Sequence, residues 1–377
     1  MTSSSFCDLS IDPMRQPTDV FPLLASPETY TSCRWDLSVD DHYRNHWVPM
    51  FRNHFPTLLA ESIREAIDRG EDEQEVHARA AICTKQMNEQ LDLYLARPRD
   101  FGPWNMMTLC LHRESYLRGQ GFYDTYRMLK ERENVTALRF LPALLEELDN
   151  ADPSQLPLLL AQGMFAGNIF DVGATSTQAL FENGRTVVFS DVRAKLRPRP
   201  WLVDGLDAWT QRLNTGKPHN AAVIFVDNAG CDIVLGMIPF TRFLLSRGTQ
   251  VILTANELPS LNDVTIHDLE RLVAGIAQWD KVIGDALADG RLELVSSGNG
   301  APLIDLSKVS PALVEAVNRR QVDLVVLEGM GRSVESNYHI PMTCDTIKVC
   351  MLKEVGVAEG MGGQLYDLVF SFEPARK

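Results

Sequence analysis

The stretch VIFVDNAGCDIVLG, residues 223–236, decides how this chain is read. An unbroken apolar run, Val223 to Val226, stops at Asp227-Asn228, passes through Ala229-Gly230 and resumes with apolar residues at helical spacing. A run apolar at every position indicates a strand buried on both faces, as in a parallel sheet covered by helices. In such sheets the ligand crevice lies beyond the carboxyl ends of the strands. Asp227 and Asn228 therefore stand where chemistry is to be sought, and Gly230 lets the backbone turn tightly behind them.

The same pattern repeats on either side. Strand candidates are RTVVFS (185–190), AAVIFV (221–226), QVILTA (250–255), LELVSS (292–297), VDLVVLE (322–328) and LYDLVFSF (365–372). Helical segments such as DIVLGMIPFTRFLLSRG, DVTIHDLERLVAGIAQWDKVIGDALADG and SPALVEAVNRR lie between them. Before about residue 180 the apolar residues recur at helical spacing instead, in FPTLLAESIREAIDRG, EVHARAAICTKQMNEQLDLYLARP and NVTALRFLPALLEELDNADP. The expected fold class is α/β, a three-layer α/β/α sandwich with a mostly parallel sheet, plus a helical N-terminal domain. The expected divisions are an irregular lead-in over 1–45 that wraps the domain, a helical domain over 46–182 and the α/β/α domain over 183–377.

Composition narrows the function classes. The 377 residues are 45% apolar and 23% charged, as in a soluble globular protein. A net charge of −14 argues against a nucleic-acid partner, since phosphate-backbone binding needs concentrated Lys and Arg. The seven cysteines include no C-x-x-C pair, which disfavours a structural zinc site or a disulfide framework. The first residues lack the basic and apolar segments of a signal peptide, and LPLLLAQGMFAGNIF (156–170) is too short to span a bilayer. No membrane association and a reduced, cytoplasmic setting are expected; oligomeric state is not legible.

The strand ends carry a consistent inventory. After 221–226 come Asp227 and Asn228; after 250–255 come Asn256 and Glu257, with Asp263 where the next helix begins; after 322–327 come Glu328 and the GMGR that ends in Arg332. CDTIKV adds Lys348, three residues after Asp345, on a short helix or strand. If the strands are adjacent, Asp227, Asn228 and Asp263 converge on one crevice. Three oxygen donors without His or Cys suit a hard divalent cation, Mg²⁺ or Mn²⁺ first, with Co²⁺ or Ni²⁺ as alternatives. Two carboxylates balance the charge of the metal, and a neutral carboxamide avoids repelling a phosphate dianion. Lys348 would supply further positive charge to a phosphoryl group.

Plainer readings stand beside this one. Asp227 and Asp263 could cap the helices that follow them. Lys348 taken alone is a solvated surface charge, and the glycines of EGMGR are ordinary turn residues. The convergence of all these groups at one end of the sheet favours the functional reading. Other motifs are missing: neither G-x-G-x-x-G nor G-x-x-x-x-G-K-[ST] occurs, nor does G-x-S-x-G. The loop DNAGCD also fails the second Asp of the aspartyl-nucleophile pattern D-x-D-x-T/V.

At this point a family resemblance emerges. RENVTALRFLP (132–142), GMFAGNIFDVG (163–173), RPRPWLVD (197–204), the long segment 224–265, DLVVLEGMGRSVESN (323–337) and CDTIKV (344–349) carry it. From about residue 100 onward the chain resembles the metal-dependent damage-control phosphatases, formerly an uncharacterised domain family. The similar branch includes a stand-alone plant protein and a domain fused to pantothenate kinase homologues. The resemblance implies a metal-dependent phosphoric monoester hydrolase acting on small phosphorylated metabolites such as sugar phosphates or phosphopantetheine-type esters. It implies Asp227, Asn228 and Asp263 as metal ligands and Lys348 as the phosphate-binding lysine. Asn168 and Asp171 of the G-N-x-x-D element would reach the substrate, and Asn256, Glu328 and Arg332 are added as substrate-binding candidates. Direct attack by water is favoured over attack by Asp227. The rival readings are an S-adenosylmethionine-dependent methyltransferase and a non-catalytic metabolite-binding protein on the same fold.

Overall fold

Strands that are apolar on both sides need two covers, and the chain supplies them. The computed structural model describes residues 18–169 and 189–375. Seven strands form one sheet: β1 (Val203–Asp204), β2 (Ala221–Phe225), β3 (Gln250–Ala255), β4 (Leu292–Ser296), β5 (Leu324–Glu328), β6 (Asp345–Met351) and β7 (Leu368–Glu373). Their order is β1-β7-β6-β5-β2-β3-β4. Neighbours run parallel except β6 and β7, which are antiparallel.

Alternation divides β2 between the covers. Ala222, Ile224 and Val226 enter one core, shared with Trp209, Phe240 and Leu269 of the helices on that side. Ala221, Val223 and Phe225 enter the other, with Leu313 and Val317 of Pro311–Arg320 and with Phe21 of the lead-in. Phe21 meets Phe225 edge-on at 5.6 Å, and Asp19 and Leu24 form bridges to Val309 and Met342. Residues 19–24 thus lie against this face of the sheet.

The helical half is built from α1 (Asp41–Asp68), α2 (Glu73–Ala96), α3 (Met106–Gly119), α4 (Arg127–Leu138), α5 (Leu141–Asp149) and α6 (Leu156–Ile169). Residues of α1 to α3 form a core together with Leu303, Val334, Cys350 and Val369 of the sheet half, whereas Leu141, Leu145, Leu160 and Phe165 pack on the other face of the sheet. NVTALRFLPALLEELD is two helices rather than one, because Pro142 takes the first turn of α5, where its missing N–H costs nothing. DVTIHDLERLVAGIAQWDKVIGDALADG likewise divides into Ile266–Ala277 and Lys281–Ala288, the second capped by Asp280.

Two expectations about elements change. RTVVFS was read as a strand, but Phe189 and Ser190 open the helix Phe189–Ala194, and 185–188 lie outside the described residues. The segment after β2, expected as a helix, opens as a π-helical turn, Asp232–Met237, and the glycine-containing segment after β5 forms another, Met330–Glu335. Such turns are rare and occur frequently at functional sites.

One feature of the strand order places the site. From β2 the chain moves outward through β3 and β4, then returns to the opposite flank of β2 as β5. The order reverses between β2 and β5, and at such a switch point the loops leaving adjacent strands part to leave a crevice. Asp227 stands at its lip, with Glu328 at the end of β5 buried beneath it.

Candidate active site

The crevice is assembled from three loops. After β2, the Asp227 carbonyl accepts the N–H of Val264 at 2.9 Å, and Asn228 forms a bridge with Asp263. The loop after β3 therefore folds back along the loop after β2 and brings Asp263 beside Asp227 and Asn228. Asp263 does not cap a helix: Thr265 does, in a capping box with Asp268. The third loop follows β5. Gly329 has φ +94°, and a Cβ there would lie 2.2 Å from the carboxylate carbon of Asp227, so only glycine fits.

Asp227, Asn228 and Asp263 line one cavity of about 260 Å³. All three are buried. The opposing wall comes from the helical half: Trp47, Met50, Phe51 and His54 of α1, then Met106 and Arg113 of α3. Lys353 and Glu335 complete it. Arg113 pairs with Glu114 at 2.7 Å, and the Lys353 ammonium donates to the carbonyl of Asn168 at 3.0 Å.

Charge is concentrated behind the ligand candidates. The Arg332 guanidinium pairs with Asp227 and, at 2.8 Å, with Asp263. Burial pulls Arg332 down to about 9, which still leaves it charged at neutral pH. Asn256 donates to the same Asp263 oxygen at 3.0 Å and to the carbonyl of Ala301. Beneath Asp227 lie Asp232 and Glu328. The Glu328 carboxyl accepts the Asp227 N–H at 2.8 Å, and Asp232 accepts from the amides of Asn168 and Asn228. Burial, reinforced by the neighbouring Asp232 carboxylate, holds Glu328 far above the usual range, so it keeps its proton.

This donor set fits a hard divalent cation. Two carboxylates, Asp227 and Asp263, already converge on one positive group, the Arg332 guanidinium, and both face the cavity. Among the described residues, Asp227, Asp232 and Glu328 form a second acidic group, with carboxylate oxygens within 4.8 Å of one another. The two sets share Asp227.

A family model described as the damage-control phosphatase ARMT1-like domain matches residues 50–369. The chain belongs to that family. It is 36% identical to a damage-control phosphatase of Arabidopsis thaliana, over 86% of this chain and 87% of that protein. It is 32% identical to the 4'-phosphopantetheine phosphatase of Mus musculus, over the whole of this chain and 51% of that one. Pantothenate kinase 2 of Arabidopsis thaliana is 36% identical over 94% of this chain and 42% of its own length. The chain thus spans about half the length of these longer curated relatives. A solved structure, a DUF89 family protein from Pyrococcus horikoshii, shares the fold at TM-score 0.55 and 15% identity, covering 86% of this chain and 96% of that one.

Within this damage-control phosphatase fold, the residues singled out in the sequence are not all brought to the cavity. Asp227, Asn228 and Asp263 are. Lys348 is not, and it is not a surface charge either: it is fully buried, with its ammonium on the carbonyls of Tyr338 and Ile340 and on Glu373. It sits within β6, in register with Leu327, and so points into the sheet's cover rather than past the strand end. Arg332 and Asn256 do not line the cavity but hold Asp263 from behind. Asn168 and Glu328, expected at the substrate, instead serve a buried network beneath Asp227. Asp171 lies outside the described residues.

Several residues of the site went unread. Lys353 lies two residues beyond the end of β6, and extending the strand through the apolar VCML would have exposed it. Asp232 is inside the opening motif, one helical turn past Asn228, where it accepts the Asn228 N–H at 3.3 Å. Arg113 and His54 come from helices with no strand-end signal, and only the tertiary structure reveals them; Glu335 lies three residues past Arg332 in the segment after β5.

Proposed function

We propose that this chain is a metal-dependent phosphatase that hydrolyses phosphate monoesters of small metabolites. The observation that carries the reading is the convergence of Asp227, Asn228 and Asp263 on one cavity whose wall also presents Lys353 and Arg113. Membership of the damage-control phosphatase family supports it. We assign the metal, Mg²⁺ or Mn²⁺ first, to Asp227, Asn228 and Asp263, because these three face the cavity where a phosphate can reach them. Asp232 and Glu328 are spent on amides and a backbone N–H.

The bound cation would supply Lewis-acid charge to the phosphoryl oxygens. Lys353, in the phosphate role expected of Lys348, adds an ammonium at the same cavity. Arg332 keeps Asp227 and Asp263 at a fixed spacing, which limits the reorganisation needed when charge develops. The apolar side chains of α1 and α3 exclude water and meet the non-phosphate part of the substrate. Phosphopantetheine-type esters and sugar phosphates are the substrates to try first, the former because of the mouse relative. Cys33, Cys83, Cys110, Cys231, Cys344 and Cys350 are free thiols, which favours a cytoplasmic setting, and among the described residues no helix is long and apolar enough to cross a membrane.

The test is hydrolysis of p-nitrophenyl phosphate and a panel of metabolite esters, with and without Mn²⁺. We expect metal-dependent release of phosphate that disappears in Asp227→Ala while the far-ultraviolet circular dichroism is unchanged. Activity that survives in Asp227→Ala contradicts the reading.

A further inference from the structure

Glu335 remains without a role once the site is built. It ends the π-helical turn Met330–Glu335, three residues after Arg332, and shares the cavity wall with Asp227, Asp263 and Lys353. It is only 6% exposed. The other carboxylates of that wall are engaged: Asp227 and Asp263 by Arg332, and Glu354 by His46 at 2.6 Å and by the N–H of Val357 at 2.8 Å. Among the described residues the Glu335 side chain makes no hydrogen bond or ion pair, and only the charges of Glu354 and Lys353 act on it. Its carboxyl oxygens are not enclosed by protein but open on the cavity, where a ligand can meet them.

We propose that Glu335 is the acid that protonates the departing alcohol of the phosphate ester. The inference rests on the phosphatase reading above. Metabolite esters leave as alkoxides, which are strongly basic, so a proton must reach the bridging oxygen as the bond breaks. Water adds to phosphorus while the P–O bond to the alcohol breaks. The bond pair departs on the alcohol oxygen, which takes the Glu335 proton. The proton shed by the attacking water returns to the Glu335 carboxylate, so the acid is restored and the products are alcohol and inorganic phosphate.

The surroundings keep Glu335 in the required form. Burial and then the Glu354 carboxylate raise it to about 8, against the opposing pull of Lys353. The remaining titratable neighbours do not undo this. Cys33, Cys110 and Cys350 are thiols held protonated by burial, and Arg113 and His54 stand on the helical wall.

The test compares leaving groups in the full-length chain with Mn²⁺, using p-nitrophenyl phosphate, whose phenolate leaves unaided, and the phosphate of a primary alcohol. In Glu335→Gln and Glu335→Ala we expect kcat/KM for the alkyl ester to fall about 100-fold or more, with a loss for the aryl ester of less than about 10-fold. The aryl activity also reports that each variant is folded. Equal losses on both esters, a change in KM alone, or no loss on the alkyl ester overturns the assignment. A parent protein inactive on both esters removes the phosphatase reading itself, and this inference with it.

Discussion

At Gly329 a single carbon separates a working loop from a broken one. With φ at +94° and Asp227 in the space of a Cβ, Gly329→Ala must bend the backbone and displace the carboxylate. Strain of this kind costs about 1–3 kcal/mol, so a lower Tm and a loss of Mn²⁺ binding are expected together by calorimetry. Loss of stability with metal binding intact would mean that Asp227 tolerates the shift. Glu335 makes a pH prediction of the opposite kind. Its folded value, about 8, lies above its ordinary 4.5, so the folded chain holds the proton more tightly. That contribution is complete below about pH 4.5 and is lost as pH rises through about 8. Glu335→Gln, which cannot ionise, should gain stability relative to the parent across this window, by at most about 1.4 kcal/mol per pH unit. A difference in Tm that does not vary with pH would contradict it. Residues are also where the sequence was least legible. Lys348 and Lys353 are five positions apart on one apolar segment, and only the true end of β6 decides which points into the sheet and which reaches the crevice.

Elements were easier to read. The apolar runs of β2, β3 and β5 specify strands because every position but Gln250 is buried, and the helices of the second half follow from their caps. The π-helical turns carried no such signal, since their sequences keep helical spacing and differ only in a hydrogen-bond register set by packing. The less visible element is α4, which clasps two site loops at once. Asn134 accepts the N–H of Gly230 at 2.7 Å, and the buried ammonium of Lys130 pairs with Asp124 and Asp268 while approaching the carbonyl of Asp263 at 3.5 Å. Burial opposes the charge on Lys130, but the two carboxylates outweigh it and raise it overall. Lys130→Met takes the ammonium from half-buried Asp124 and leaves Asp268 only Arg271 and Thr265, and should cost up to about 3–5 kcal/mol, visible in urea unfolding at neutral pH. Asn134→Ala should leave the fold nearly unchanged while weakening Mn²⁺ binding, because only the Gly230 turn loses its anchor. Equal effects of the two substitutions on stability would count against the clasp.

At the scale of the molecule, the change of texture near residue 180 forecast a helical half and a sheet half, and both are present. What it could not forecast is how they meet. The cavity needs both: ligand candidates from the strand ends, and an apolar wall from α1 and α3. That wall should govern substrate choice. Trp47→Ala and Met106→Ala are expected to raise KM several-fold for an ester with a long apolar tail, with little effect on p-nitrophenyl phosphate. Parallel losses on both would place these residues in the scaffold alone. The sheet's switch point sets the ends of the parallel strands β2 and β5 side by side, so that Arg332 from the loop after β5 braces Asp227 from the loop after β2.

The most direct measurement is anomalous diffraction from crystals soaked in Mn²⁺. The account predicts one strong peak at the cavity, within about 2.0–2.3 Å of side-chain oxygens of Asp227, Asn228 and Asp263, with Arg332 still against their far side. A peak seated on Asp232 and Glu328 instead, or no peak in the cavity, would contradict it.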